Sequence, residues 1–189
     1  TTFNRKRGFQ MFRTILTYGL IAGVIVGVPL FAMGVFMADN PPGNAVGMAI
    51  GYLTMLIAFT AIFAGVKRHR DVALGGAIRF WPALGMGLAI AAIGSLAYVL
   101  VWEAVLAING GDFIAEMSAR MLEEQRAAGA SASELAAFQA QMAQMQALYA
   151  NPLARVAITL TEVLPVGLVV ALISAALLRN PRFMPLTRR

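Results

Sequence analysis

"GVKRHRDVALGGAIRF", Gly65 to Phe80, sets five consecutive ionisable residues between two apolar walls: Lys67, Arg68, His69, Arg70 and Asp71. The 27 residues from Asn40 to Val66 carry no charge, and neither do the 23 from Phe80 to Trp102. In a soluble protein this cluster would suggest a nucleic-acid patch or a phosphate site. Its flanks decide otherwise. A helix needs about 20 apolar residues to cross the hydrocarbon core of a bilayer. Thr14–Ala38 supplies a third such run, and Val156–Leu178 a fourth that contains one charge, Glu162. None alternates with the period of two that a membrane barrel requires, so the runs read as helices. The expectation is an all-α polytopic membrane protein, one domain over residues 1–189. Its four transmembrane helices fall at about 14–38, 44–66, 80–102 and 156–178.

Composition agrees. The chain is 59% hydrophobic and 13% charged, against about 25% charged in a soluble domain. Mean hydropathy is +0.73. There are no cysteines, which removes disulfides, thiolate metal sites and a cysteine nucleophile. The first apolar run is too long for a signal-peptide core and lacks a small-residue cleavage site at its end, so it reads as a retained span.

The net charge of +6 takes its meaning from where the charge lies. Arg5, Lys6, Arg7 and Arg13 precede the first span. Lys67, Arg68, Arg70 and Arg79 lie between spans two and three, and Arg179, Arg182, Arg188 and Arg189 follow span four. In a four-span chain those segments share one side, so twelve of the fifteen basic residues do. That side is expected to be cytoplasmic, with both termini, and 103–155 to be outside. Trp81 and Trp102, near opposite ends of span three, suit interfacial belts. Pro82 suits a first helical turn. The basic residues therefore report topology, and no nucleic-acid partner is expected. The loop is also a candidate for anionic lipid heads, at about 1 kcal/mol per basic residue.

Small residues recur every fourth position in the spans: Gly19, Gly23 and Gly27; Gly43, Gly47 and Gly51; Ala83, Gly87, Ala91 and Ser95; Gly167, Ala171 and Ala175. Each set makes a flat strip on one helix face, which lets backbones approach closely in lipid. Packing within the bundle is the first reading. A strip reserved for another subunit, or for self-association, is the second. Pro29 and Pro165 each free a carbonyl one turn earlier, at Ile25 and Thr161.

Residues 103–155 are too many for a structureless connection. Ser131 and Glu134 of "SASE" form a capping box, and Gly129 suits the end of a preceding helix. Leu135, Phe138, Met142, Met145 and Tyr149 then repeat at three- and four-residue steps to Asn151-Pro152. The first arm, about 112–128, offers Phe113, Ile114, Met117 and Met121. The expectation is an extracytoplasmic helical hairpin between spans three and four. Met117, Met121, Met142 and Met145 also admit a Cu(I) thioether reading, but methionine filling a seam is preferred, and no cofactor or metal is expected.

Glu162 is the one acid inside a span, and such a residue suggests function by default. Its expected companions are Thr159, Thr161, and either Tyr98 or Glu103. A proton or cation site stands beside a plainer reading, a hydrogen-bonded glutamate that ties helices together. His69, the only histidine, sits among like charges. The chain contains no Walker-type loop, no GxSxG and no HExxH, and Gly75-Gly76 alone is a weak phosphate signal.

"GVKRHRDVALGGAIRF", the four-span pattern, the insert before span four and the ending "LPVGLVVALISAALLRNPRF" together resemble a bacterial membrane family, domain of unknown function 4199. The resemblance rests on Gly65, Lys67, Arg70, Asp71, Gly75, Gly76 and Phe80. It implies an inner-membrane protein and no particular activity. Asp71 is expected to cap a turn or pair with Arg70 or Arg79. The expected role is a non-enzymatic accessory or scaffolding subunit packing through its glycine faces. The alternative is a small proton- or cation-coupled transporter or channel using Glu162.

Overall fold

The computed structural model describes residues 2–38, 42–110 and 113–185. Asp39, Asn40 and Pro41 of the expected first turn, Asp112, and Arg188 and Arg189 of the tail lie outside the described residues, as do the side chains of Arg5, Lys6, Arg7 and Phe113. The described residues form six helices: α1 Thr2–Phe36, α2 Asn44–Ala73, α3 Phe80–Asn109, α4 Phe113–Ala127, α5 Ala132–Tyr149 and α6 Pro152–Leu178. Helices α1, α2, α3 and α6 are long and apolar enough to cross a membrane. They follow one another around a ring as α1, α2, α6, α3, and α2 also touches α3 across it.

The helices outrun the apolar segments that reveal them. Hydropathy marks the part that crosses lipid, whereas a helix continues until something stops it. Thus α2 runs through the whole Lys67–Asp71 cluster, which is helical and not the expected loop. It stops at Gly75 and Gly76, whose φ values of +72° and +100° suit residues without a Cβ. The Gly76 N–H returns to the Arg70 carbonyl at 2.9 Å. Of the residues assigned to a basic loop, only Gly75 and Gly76 lie outside the helix. Likewise α3 passes Trp102 and Glu103 to Asn109, and α1 and α6 run on through Pro29 and Pro165.

Glycine sets how closely α1 and α3 approach. A Cβ built on Gly19 would stand 2.6 Å from Ile93 Cβ, one on Gly23 2.5 Å from Ala97 Cβ, and one on Gly27 3.0 Å from Val101. Gly34, two turns beyond Gly27, meets Val105 at 2.5 Å. The paired numbers rise together, so the two helices run parallel. Between α3 and α6 a Cβ on Gly87 would lie 3.0 Å from Ala171 Cβ, and one on Gly167 2.9 Å from Ala91 Cβ. There the numbers run oppositely, as in antiparallel neighbours. Phe59 of α2 is 1% exposed and fills the space beside Gly94 and Gly167. It joins Ile62, Val66, Ile90 and Val163 in one buried core.

The insert is α4 and α5. Gly129, at φ +86°, ends α4 with two reversed bonds, Ala130 N–H to Gln125 O at 3.1 Å and Gly129 N–H to Arg126 O at 3.0 Å, a Schellman motif. Ser131 then caps α5. Its backbone N–H donates to Glu134 Oε2 at 2.7 Å, and its hydroxyl accepts from the Glu134 N–H at 3.3 Å. Leu135, Phe138, Met142, Met145 and Tyr149 are half-buried while the rest of α5 is exposed. No α5 residue is fully buried. The helix touches α4 and α6 along that stripe's side only lightly and otherwise stands clear.

Two predictions follow from this packing. Gly23→Leu, which drives a side chain into Ala97, should destabilise the detergent-extracted bundle by about 2 kcal/mol, while Gly51→Leu should be near neutral, because a Cβ on Gly51 meets nothing within 4 Å. Equal losses in chemical unfolding would contradict the α1–α3 interface. The α5 cap should also be pH-sensitive. Hydrogen bonds from Ser131 hold the Glu134 carboxyl below its ordinary 4.5. A depressed folded-state pKa stabilises above the unfolded value, and that stabilisation is lost as the pH falls through the folded one. Hydrogen-exchange protection at the start of α5 should therefore drop between about pH 6 and about pH 3 in the native chain, and stay level in Glu134→Gln.

Candidate binding cavity and the basic end of the bundle

Helices α1 and α2 meet closely where Gly65 lies against Tyr18, with a virtual Cβ 2.9 Å from its ring. Toward the end that carries the insert they separate. The space between them is a cavity of about 840 Å³, walled also by α3, α4 and α6. Small-molecule sites commonly enclose about 300–1,000 Å³. Gly47 and Gly51 line it. The nearest atom to a Cβ on Gly47 is Pro42 O at 3.7 Å, and Gly43, which precedes α2, has nothing within 4 Å. Among the described residues the strip Gly43, Gly47 and Gly51 therefore receives no side chain from another helix of this chain. At Gly47 and Gly51 the missing side chains leave room in the cavity.

Glu162 lines this cavity from α6, together with Tyr98 and Trp102 of α3 and Tyr52 and Thr54 of α2. Tyr98 and Tyr149 are near enough to feel the Glu162 charge. Among the described residues no hydrogen bond or ion pair is formed by the Glu162 carboxylate. Its expected companions are divided. Tyr98 shares the cavity. Thr159 is buried and donates to the Arg155 carbonyl at 3.0 Å, and the Thr161 hydroxyl donates to the Ile158 carbonyl. Glu103 is engaged elsewhere, accepting Arg155 Nε at 2.7 Å and a second guanidinium N–H in a two-pronged pair. Arg155 also donates to Tyr149 O at 2.9 Å. Burial pushes the Tyr149 hydroxyl above its ordinary range, with Thr159 and Trp102 as hydrogen-bonding neighbours.

The rim is fastened by side chains reaching main-chain carbonyls. Asn109 Nδ2 donates to Gly34 O at 2.9 Å, and Arg120 of α4 donates to Ala38 O at 2.7 Å. Both capture carbonyls at the end of α1. Arg120, Glu123 and Glu124 of α4 form the polar part of the wall, and Met117 and Met121 an apolar part. Met142 and Met145 are not among the lining residues.

At the opposite end the basic cluster divides by helical face. Arg68 is exposed and Lys67 half-buried, while His69 is 6% and Arg70 0% exposed. Each of the three nitrogens of the Arg70 guanidinium has a partner. Nε donates to Asp71 Oδ1 at 2.7 Å, and the other two nitrogens donate to Phe183 O at 3.0 Å and Met184 O at 2.7 Å. Lys67 reaches Asp71 Oδ2 at 2.6 Å. Asp71 therefore pairs with Arg70, as one of the expected arrangements had it, and not with Arg79. Phe183 stacks edge-on to Phe63, ring centroids 6.3 Å apart. Together these contacts pin the segment after α6 to the end of α2.

Sequence reading did not find the Arg70 clamp, the Glu103–Arg155 pair or the cavity. Opposite charges just inside facing ends of spans three and four were the available signal for the pair. For Arg70 the signal was a helical phase shared with Phe59, Ile62 and Val66, which puts residue 70 on the core face.

Four long apolar helices, an acid in the wall of a cavity between them and a charged cluster at one end define a polytopic α-helical membrane protein. The family model described as a protein of unknown function, DUF4199, matches residues 17–180. The chain belongs to that family. No curated protein and no solved structure matches it.

Removing the clamp should be costly. Arg70→Ala strips a fully buried partner from Asp71 and two carbonyls, a loss of about 3 kcal/mol, and should expose the chain beyond Leu178 to protease. Arg70→Lys should restore less than half, because an ammonium lacks the planar fork. Unchanged proteolysis and unfolding in Arg70→Ala would show that the clamp holds nothing.

Proposed function

We propose that the protein is a small carrier of the bacterial inner membrane, binding a small amphiphilic molecule in the cavity with Glu162 as the polar anchor. The carrying observation is the Glu162 carboxylate, which lines a molecule-sized cavity and has no hydrogen bond or ion pair among the described residues. A carboxylate that merely tied helices together would be bonded to them. An ionisable residue inside a span points by default to a functional site. The lining of aromatic and aliphatic side chains with a few polar groups suits such a ligand. The concentration of basic residues at the far end favours placing both termini in the cytoplasm and the cavity mouth, with the α4–α5 hairpin, on the periplasmic side. No catalytic chemistry is part of this reading.

An accessory or scaffolding role is the second reading. It draws on α5, which carries a continuous exposed face and buries no residue fully. A fixed-stoichiometry heteromer in native mass spectrometry of protein extracted in mild detergent would favour it.

The cavity itself is testable without knowing the ligand. The chain has two tryptophans, and Trp81, 76% exposed, lies at the other end of α3 from Trp102. In a Trp81→Phe background, aqueous acrylamide should quench Trp102. Gly51→Phe, which sets a ring inside the cavity, should reduce the quenching constant about threefold or more, as access to a site depends on the space around it. Identical quenching in both proteins would remove the cavity from the account.

A further inference from the structure

The cavity's charge runs against that of the protein around it. The chain as a whole carries +6, yet the charged side chains on the cavity wall are three acids, Glu123, Glu124 and Glu162, and one base, Arg120. Two of the four have a partner of opposite sign outside the wall. Glu123 pairs with Arg126 at 3.1 Å, and Arg120 stands 3.8 Å from Glu116. Among the described residues Glu124 and Glu162 are in no salt bridge. The wall is therefore acidic after its own ion pairs are discounted.

The form of that acidity selects among cations. Among the described residues no three histidines, aspartates or glutamates come together as a metal cage would require. Hard metal ions need several oxygen ligands at close range. Instead Glu162 shares the wall with the rings of Tyr52, Tyr98 and Trp102. Aromatic faces attract weakly hydrated organic cations, and most strongly where water is thin. From this juxtaposition we infer that the cavity takes an apolar organic cation, such as a substituted ammonium with hydrophobic arms, with Glu162 as its counter-charge and the three rings as its walls. The inference rests on the carrier reading and adds the ligand class. The cation brings positive charge to a carboxylate that has no partner inside the protein, which offsets part of the cost of keeping that acid in a span.

Matched probes separate charge from size and apolarity. Tetraphenylphosphonium and tetraphenylborate have nearly the same shape and opposite charge, and triphenylphosphine oxide is a neutral relative. Each is titrated into the Trp81→Phe protein in nanodiscs with Trp102 fluorescence as the signal, empty nanodiscs supplying the partition background. Tetraphenylphosphonium should quench saturably, tetraphenylborate only in proportion to its partitioning. Glu162→Gln should weaken the cation about tenfold or more and leave acrylamide access to Trp102 unchanged, which shows that the variant is folded. Absence of saturable cation binding, equal binding of the two ions, or a cation affinity indifferent to Glu162→Gln would each overturn the inference. In those cases saturable binding of the neutral probe that is lost in Gly51→Phe would leave the cavity as a ligand site and remove only the charge preference. Loss of all saturable binding together with unaltered acrylamide quenching in Gly51→Phe would remove both.

Discussion

In lipid the surroundings of a helix are as apolar as its side chains, so burying apolar surface gives helices little reason to associate. What remains is the number of atoms in contact, and that depends on how near the backbones can come. The α1–α3 interface is built on this constraint. Gly19, Gly23, Gly27 and Gly34 on one helix receive Ile93, Ala97, Val101 and Val105 on the other, along most of the membrane-crossing length. With α1 and α3 joined as a parallel pair, α6 packs against α3 through Gly87, Ala91, Gly167 and Ala171. Helix α2 is left to close the ring. It does so with large residues, Phe59, Ile62 and Val66, at one end and with little at the other.

The difference between the two ends of α2 shapes the molecule. At the basic end Arg70 is buried without exposure and gives every guanidinium nitrogen a partner. A desolvated cation is tolerable only when its hydrogen bonds are all made, and here two of them reach across more than a hundred residues of sequence to Phe183 and Met184. That end is closed by polar bonds inside an apolar packing. At the insert end, side chains from α3 and α4 hold the α1 terminus through its carbonyls, which fixes the rim while leaving the interior open. One end is a seal and the other is a frame.

Much of this was legible in the sequence. Four spans, the capping box at Ser131 and Glu134, and the α5 stripe from Leu135 to Tyr149 all rest on local periodicity and local chemistry, which one segment carries by itself. The helix ends were less legible, because hydropathy marks lipid depth and Lys67 to Asp71 contains nothing that stops a helix. The cavity was not legible at all. It exists where side chains of five helices fail to meet, and no single segment records that. Glu162 stood out as an intramembrane acid, and of the two α3 companions considered for it Tyr98 shares its cavity, whereas Glu103 is bound to Arg155, a pairing that depends on how α3 and α6 face each other.

The two glycine strips show what a spacing rule needs before it can assign a contact. Gly19, Gly23 and Gly27 on α1 and Gly43, Gly47 and Gly51 on α2 have the same period and the same residue. One is the tightest interface in the protein, and the other is open or lines the cavity. What separates them is the presence of knobs. Ile93, Ala97 and Val101 repeat at the matching interval on α3, so the holes at Gly19, Gly23 and Gly27 are filled in register. The α2 strip has no such row opposite it at the insert end, and α2 turns its bulkier residues to the core only from Met55 onward. A strip without a complementary row leaves space, and in this chain the space contains the one intramembrane acid. Among the described residues, the absence of a partner for the glycines and the absence of a partner for Glu162 are thus the same fact about the packing, read once as volume and once as charge.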